Sequence, residues 1–284
     1  MGIGLWISSV TSLPNASASQ TLVHGKTSMP KENKPNLPVS LILVLALAVT
    51  GCSEKTFQVV DRGSMGPVKR SLNRAPHGYE VIPDPTGSAP TEFVEKFEVR
   101  PGDCFRNADW SDCDNDRERS ELSAHRSNRF GTVYWYGWWI YVPEDYTNAH
   151  PTKVALGQFH QYNGPPAFMF QNHTGGLMVD RNFGNSFQRE KILSDDELRG
   201  KWNQIEVQAK WGRDGFFAVY ANGELKRVFE GVTANKPIYL KYGLYRSFLK
   251  RYKIFADVDE VPAQTVYYSN VRRARTREGL KAPQ

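Results

Sequence analysis

The chain has 284 residues, 40% of them hydrophobic and 12% aromatic, enough to bury the core of one large domain or two small ones. Its net charge of +6 calls for an acidic partner: a nucleic acid, an anionic membrane surface or an anionic polymer. An export signal near the N-terminus excludes the first of these.

That signal is "LPVSLILVLALAVTGC", with an apolar run from Leu41 to Val49. The run is too short for an ordinary transmembrane helix and ends in the small residues of a secretory exit. Val49-Thr50-Gly51-Cys52 resembles the bacterial lipobox, in which the cysteine receives lipid and becomes the mature N-terminus. Cys52 is therefore the expected lipidation site; the alternative is a membrane anchor or buried helix that ends in cysteine. Met29 opens a compact basic start, "MPKENKPNLPVS", so residues 1–28 read as a misassigned upstream segment and 29–51 as the signal peptide. Removing 1–51 takes away three lysines and one glutamate and leaves a net charge of +4. Ser53 follows the lipid site, not the aspartate that retains lipoproteins at the inner membrane. The expected location is the bacterial cell envelope, at the outer membrane, with the lipid as the sole membrane attachment. Cys104 and Cys113 remain, and two thiols in an exported protein argue for a disulfide, with two free thiols as the alternative.

Residues 52–75 are polar without clear periodicity and read as a tether. From about Tyr79 onward, short alternating or aromatic runs are separated by turn signals. "EFVEKFEV" is followed by "RPGD", "TVYWYGWWIYVP" ends at Pro143, and "KVALGQFHQY" precedes "NGPP". "GFFAVYANGELKRVF" contains Asn-Gly, a strong hairpin signal. "SDDELRGKW" is the single convincing helical turn, with Ser194 as N-cap. Many short strands with almost no helix predict an all-β antiparallel sandwich or barrel over residues 76–278, with 279–284 as a tail. The stretch "VRRARTREGLKAPQ" reads as a solvated basic tail.

Three strands carry polar residues in phase. "RERSEL" groups Arg117, Arg119 and Glu121 on one face, although arginines on a strand usually mark solvent. "LGQFHQY" groups Gln158, His160 and Tyr162. "YLKYGLYRS" sets Tyr239, Lys241, Gly243 and Tyr245 against a core-like face of Leu240, Tyr242 and Leu244. A concave sheet would gather Arg, Gln, His, Lys and Tyr into one groove suited to carboxylated sugars, since arginine forks onto carboxylates. Just upstream, Asp112, Asp114 and Asp116 in "DCDND" offer oxygens for a structural Ca²⁺, but the glycine and distal glutamate of a calcium loop are missing, and a polar turn is the other reading.

"RSEL", "QFH" and "YLKYGLY" resemble the three motifs of jelly-roll alginate lyases. "GDC…NDRERSEL", "YWYGWWIYVP", "LGQFHQ" and "VYYSNVRRA" are more similar to the related group of heparin lyase I and glucuronan lyase. The resemblance runs from about Tyr79 to Arg275 and implies a β-jelly-roll sandwich with a concave substrate groove. One departure is Ser123, where alginate lyases carry a second arginine. The implied reaction is β-elimination on a uronic acid, with no cofactor and no catalytic metal. It makes Arg119, Gln158 and His160 the groups that hold the carboxylate, and Tyr245 the acid. Tyr245 is also the base in a syn elimination, and His160 is the base in an anti one. Lys241, Arg117, Tyr239 and Arg246 are the expected substrate contacts. Arg119 and Lys241 are expected to favour the Tyr245 phenolate, and Gly243 to leave room for sugar. The expected partner of this monomer is an anionic polysaccharide: glucuronan, alginate, ulvan or a heparin-like polymer. A non-catalytic glycan-binding surface lipoprotein is the alternative. A glycoside hydrolase would need paired carboxylates, and the strand pattern Glu-x-Asp-x-x-Glu is absent.

Overall fold

The computed structural model describes residues 60–72, 75–125, 128–183 and 186–281. Cys52 and the expected signal peptide lie outside them. In chain order the strands are β1 (Val68–Leu72), β2 (Tyr79–Pro83), β3 (Phe93–Val99), β4 (Arg117–Ala124), β5 (Val133–Tyr141), β6 (Lys153–Gln161) and β7 (Pro166–His173). They continue as β8 (Gly176–Phe183), β9 (Ser186–Leu193), β10 (Trp202–Lys210), β11 (Gly215–Ala221), β12 (Glu224–Gly231), β13 (Ile238–Ser247) and β14 (Gln264–Ala274). Two seven-stranded antiparallel sheets result, ordered β1-β4-β13-β6-β7-β8-β9 and β12-β11-β10-β5-β14-β3-β2.

Period-two alternation decides which side chains meet between the sheets. On β5, Tyr134, Tyr136, Trp138 and Ile140 are buried while Trp135, Trp139 and Tyr141 are only half-buried. From the other sheet, Phe159, Phe168 and Phe170 turn inward to meet Trp211 and Phe217. Phe168 and Phe217 stack with ring centroids 3.8 Å apart, and Phe97 meets Tyr242 and Tyr268 edge-on. Each fully buried ring or aliphatic side chain contributes about 1.5–3 kcal/mol of hydrophobic stabilisation, so this layer holds the sheets face to face.

Local signals behave as their chemistry dictates. Asn222 and Gly223 both take positive φ, as a two-residue hairpin between β11 and β12 requires. Ser194 caps a single helical turn, α1 (Asp195–Leu198), through a capping box with Glu197. A second helix, α2 (Leu249–Ala256), departs from the expected pattern. It starts from Phe248 at φ 62° without a side-chain cap and leaves Ile254 and Phe255 exposed, so neither a cap nor an apolar stripe announces it.

Both expected boundaries move outward. The tether does not reach residue 75, because β1 pairs with β4, Met65 is buried and Arg62 ion-pairs with the interior Glu95. The basic tail is likewise part of the sandwich. Arg272 and Arg273 sit buried on β14, and Leu280 packs over Gly137, where an added Cβ would lie 3.0 Å from the leucine.

Candidate active site

Strand order brings the three polar stretches side by side, because β13 lies between β4 and β6. Along β13, Lys241 stands opposite Ser123 and Gln158, Tyr239 opposite His160, and Tyr245 opposite Arg119. Their alternate neighbours Leu240, Tyr242 and Leu244 are buried between the sheets, so the polar set occupies the sheet's other face. Arg246 has the parity of that inner set. Its side chain is 0% exposed, ion-paired with Glu118 and bonded to the Pro262 carbonyl. The expectation that Arg246 contacts substrate is therefore corrected: strand parity turns it into the protein.

The centre of the polar face is Glu121, a residue that alternation groups with the arginines but that carried no assigned role. It is almost wholly buried and accepts from Lys241 Nζ at 2.5 Å and from Gln158 Nε2. Arg119 Nη1 lies 3.5 Å from the same carboxylate. Burial holds the Lys241 ammonium below its ordinary pKa even though Glu121 pulls the other way. Ser123, in place of a second arginine, lies with its hydroxyl 3.4 Å from that of Ser71 on β1.

Arg119 is held from a second side. Asp112 takes its Nε at 2.5 Å and its Nη2 at 2.6 Å, occupying the fork expected to grip substrate. Burial would lower the guanidinium pKa, but Glu121 and Asp112 outweigh it and the net shift is upward. Asp112 is wholly buried and stands beside Cys113, which forms the expected disulfide with Cys104, Cα atoms 5.1 Å apart. A calcium site there is corrected by the carboxylates' partners. Asp112 faces Arg119, Asp114 pairs with Arg106 at 2.9 Å, and Asp116 accepts from the Lys250 amide. Among the described residues no group of three acidic, histidine or cysteine side chains is arranged to hold a metal. Arg117 stacks on Trp110 at 4.8 Å and has no carboxylate partner among the described residues. The charges of Arg119, Lys241, Asp112 and Glu121 cancel, and Arg117 adds a positive charge beyond that balanced set.

The proton-handling candidates are driven apart. His160 Nδ1 lies 2.9 Å from the Gln161 carbonyl, which can only accept, so Nδ1 carries the proton and Nε2 keeps its lone pair. Burial lowers the imidazole pKa; Lys241 and Arg119 push the same way, against the Gln161 bond and Glu121. Tyr245 stacks under Arg119, whose guanidinium carbon lies 4.6 Å from the ring centroid, with Lys241 Nζ at 5.8 Å. The expected phenolate is corrected: burial dominates, and although Arg119 and Arg117 pull the pKa down, it is pushed up to about 12. Tyr239 lies closest to the histidine, ring centroids 5.4 Å apart, and contacts Tyr162 on its other side at 4.9 Å. Gly243 has φ 122°, and an added Cβ would fall 2.4 Å from the Ser120 carbonyl and 2.7 Å from Phe97. Backbone conformation and core clearance, not space for a sugar, account for that glycine.

The sequence matches the family model described as polysaccharide lyase over residues 56–272. No curated protein matches the chain. Among solved structures, the endo-β-1,4-glucuronan lyase of the fungus Trichoderma reesei is similar at TM-score 0.55 and 16% identity, over 72% of this chain and 90% of that one. A variant of alginate lyase A1-II′ is similar at TM-score 0.52 and 13% identity, over 74% of this chain and 94% of that one. These likenesses share the jelly-roll sandwich, and the family match covers most of the chain, including every residue of the polar face: the chain belongs to the polysaccharide lyase family.

Proposed function

We propose that the protein cleaves a uronic-acid-containing anionic polysaccharide by β-elimination. The observation that carries this reading is the register that sets His160, Gln158, Arg119, Lys241 and Tyr245 on one polar face of a polysaccharide-lyase fold, where burial lowers the His160 pKa and raises that of Tyr245. Groups pushed apart in this way divide the work of base and acid. His160 Nε2 takes the C5 proton, and the electron pair forms the C4–C5 double bond. The C4–O4 bond breaks, and Tyr245 gives its proton to the departing oxygen. The product ends in an unsaturated uronate, and the histidine proton returns to the phenolate through solvent. Arg119 and Lys241 beside the ring stabilise the transient phenolate. Gln158 keeps one amide hydrogen beyond its bond to Glu121 and offers it to the substrate carboxylate. A second reading gives Tyr239 the acid role, because its ring is the one beside His160.

A panel of glucuronan, alginate, ulvan and heparin-like polymers tests the reaction through the ultraviolet absorbance of the new conjugated double bond. Turnover of at least one polymer is expected, and reducing ends formed without that absorbance would mean hydrolysis instead. Arg117→Ala is expected to raise KM with little change in kcat. A hydrogen bond to a charged group is worth about 1.5–3 kcal/mol, or roughly ten- to hundredfold in KM. A fall in kcat at unchanged KM would move Arg117 from binding to chemistry.

We also propose that Cys52 is lipidated and tethers the enzyme to the envelope, on the strength of Val49-Thr50-Gly51-Cys52 after the apolar run. A fatty-acid analogue should label the wild type in a bacterial host and leave Cys52→Ala unlabelled. Equal labelling would remove the anchor.

A further inference from the structure

We propose that Asp112 is a positioning residue: from a disulfide-closed loop it occupies the guanidinium fork of Arg119 and holds that cation against the Tyr245 ring. The contacts belong to the fold alone, whereas their consequence for turnover rests on the lyase reading above.

The Asp112 carboxylate accepts four hydrogen bonds. Two come from Arg119, one from Trp110 Nε1 at 2.8 Å and one from the Phe105 amide at 3.3 Å. A wholly buried carboxylate with four donors is not exchanged for a substrate carboxylate, because the substrate would have to leave water and meet a guanidinium already neutralised. The planar fork fixes orientation as well as charge. With Nε and Nη2 directed to Asp112, Arg119 keeps its guanidinium carbon over the Tyr245 ring and Nη1 within 3.5 Å of Glu121.

The loop is built to hold this residue still. The Cys104–Cys113 bridge closes it immediately after Asp112. The Asp112 amide donates to the Phe105 carbonyl at 2.8 Å, the Arg117 amide to the Asp112 carbonyl at 3.1 Å, and the Arg119 amide to the Asp103 carbonyl at 2.9 Å. The same loop presents Trp110 to Arg117 and Phe105 to Arg119, 5.8 Å from ring centroid to guanidinium carbon. One short cross-linked segment thus sets both arginines of β4.

The charges around the Tyr245 hydroxyl give a readout that a purely structural residue would not move. Arg117, Arg119 and Glu121 face it from β4, Lys241 from its own strand and Asp112 from the loop; His160 on β6 faces the Glu121–Lys241 pair. Asp112→Asn removes one negative charge that disfavours the phenolate and leaves Arg119 balanced by Glu121 alone, so the phenolate is favoured. The Tyr245 titration midpoint should fall by about one pH unit or more. If the phenol is the acid, the alkaline limb of kcat moves down with it.

The test is an ultraviolet tyrosinate titration, taken as the difference between a protein and its Tyr245→Phe derivative. It is run on the wild type, Asp112→Asn and the double variant Cys104→Ala/Cys113→Ala, each checked for a native circular dichroism spectrum. A lowered midpoint is expected in both variants. An unmoved midpoint in whichever of them folds overturns the proposal. Because the titration needs no substrate, a lowered midpoint in an enzyme that turns over none of the polymers would sink the lyase chemistry and leave the positioning role standing.

Discussion

Tyr245→Phe is expected to lower kcat by roughly 10²–10⁴-fold, the range that a positioned general acid supplies, with polymer binding nearly unchanged. The substitution removes one oxygen and keeps the ring that stacks under Arg119, so fold and cation contact survive. The pH profile of the wild type carries the same assignment. The base must be free, and burial with Lys241 and Arg119 lowers the His160 pKa, so activity falls on the acid side only below about pH 6.5. The acid must be protonated, and with its pKa pushed up to about 12 Tyr245 remains so far into alkali. Tyr239→Phe is the internal control. It keeps the ring beside His160, and if Tyr239 only stacks on substrate, turnover should persist. If Tyr245→Phe keeps more than about a tenth of wild-type kcat while Tyr239→Phe falls by the larger factor, the acid is Tyr239. Equal losses in both would assign two proton-handling phenols and favour a separate path for each proton.

Much of this face was legible in the sequence because a strand's period of two sorts side chains without knowledge of the partner strand. Arg117, Arg119 and Glu121, Gln158 and His160, and Tyr239, Lys241 and Tyr245 could each be grouped from parity alone, and antiparallel pairing then set the groups in contact. The Cys104–Cys113 bridge followed from the expected export and the cysteine count. Parity also contained the information that Arg246 points inward, since it shares the phase of Leu244. A charged residue invites a surface role, and its buried partner Glu118 lies 128 positions away. The roles of Glu121 and Asp112 were not legible for a related reason. A carboxylate's function depends on which cation folding brings to it, and Lys241 reaches Glu121 across 120 positions. The Tyr245 pKa was misjudged because sequence displays charged neighbours but not desolvation, and desolvation is the larger effect here. The outward shift of both boundaries has the same origin: polar composition near Arg62 and Arg273 hides the buried ion pair and hydrogen bonds that tie those segments to the sandwich.

Glu121→Ala is expected to destabilise the fold by about 3–5 kcal/mol, because it strips the partner from a buried ammonium and leaves the Gln158 amide without its acceptor. For a domain of this size that corresponds to a Tm lower by roughly 6–20 °C. Lys241 and Gln158 lie within the sheet's polar face at 5% and 2% exposure, so water does not replace what is lost. The lysine's burial-lowered pKa offers partial relief, since a neutral amine is the cheaper form to bury once Glu121 is gone. The pair should therefore couple strongly. Glu121→Leu combined with Lys241→Met removes both charges and should be much less destabilised than Glu121→Ala alone, because a buried ion pair is worth little against apolar residues of similar volume. Turnover should remain low in both proteins, since Gln158 and Arg119 have lost the carboxylate that orients them. Thermal or urea unfolding of the two variants, alongside kcat on the best polymer, separates stability from function. Recovery of stability without recovery of kcat would make the Glu121–Lys241 pair an organiser of the reacting groups. Recovery of both would reduce it to a counter-ion for Lys241, and a wild-type unfolding midpoint in Glu121→Ala would remove it from the site's architecture altogether.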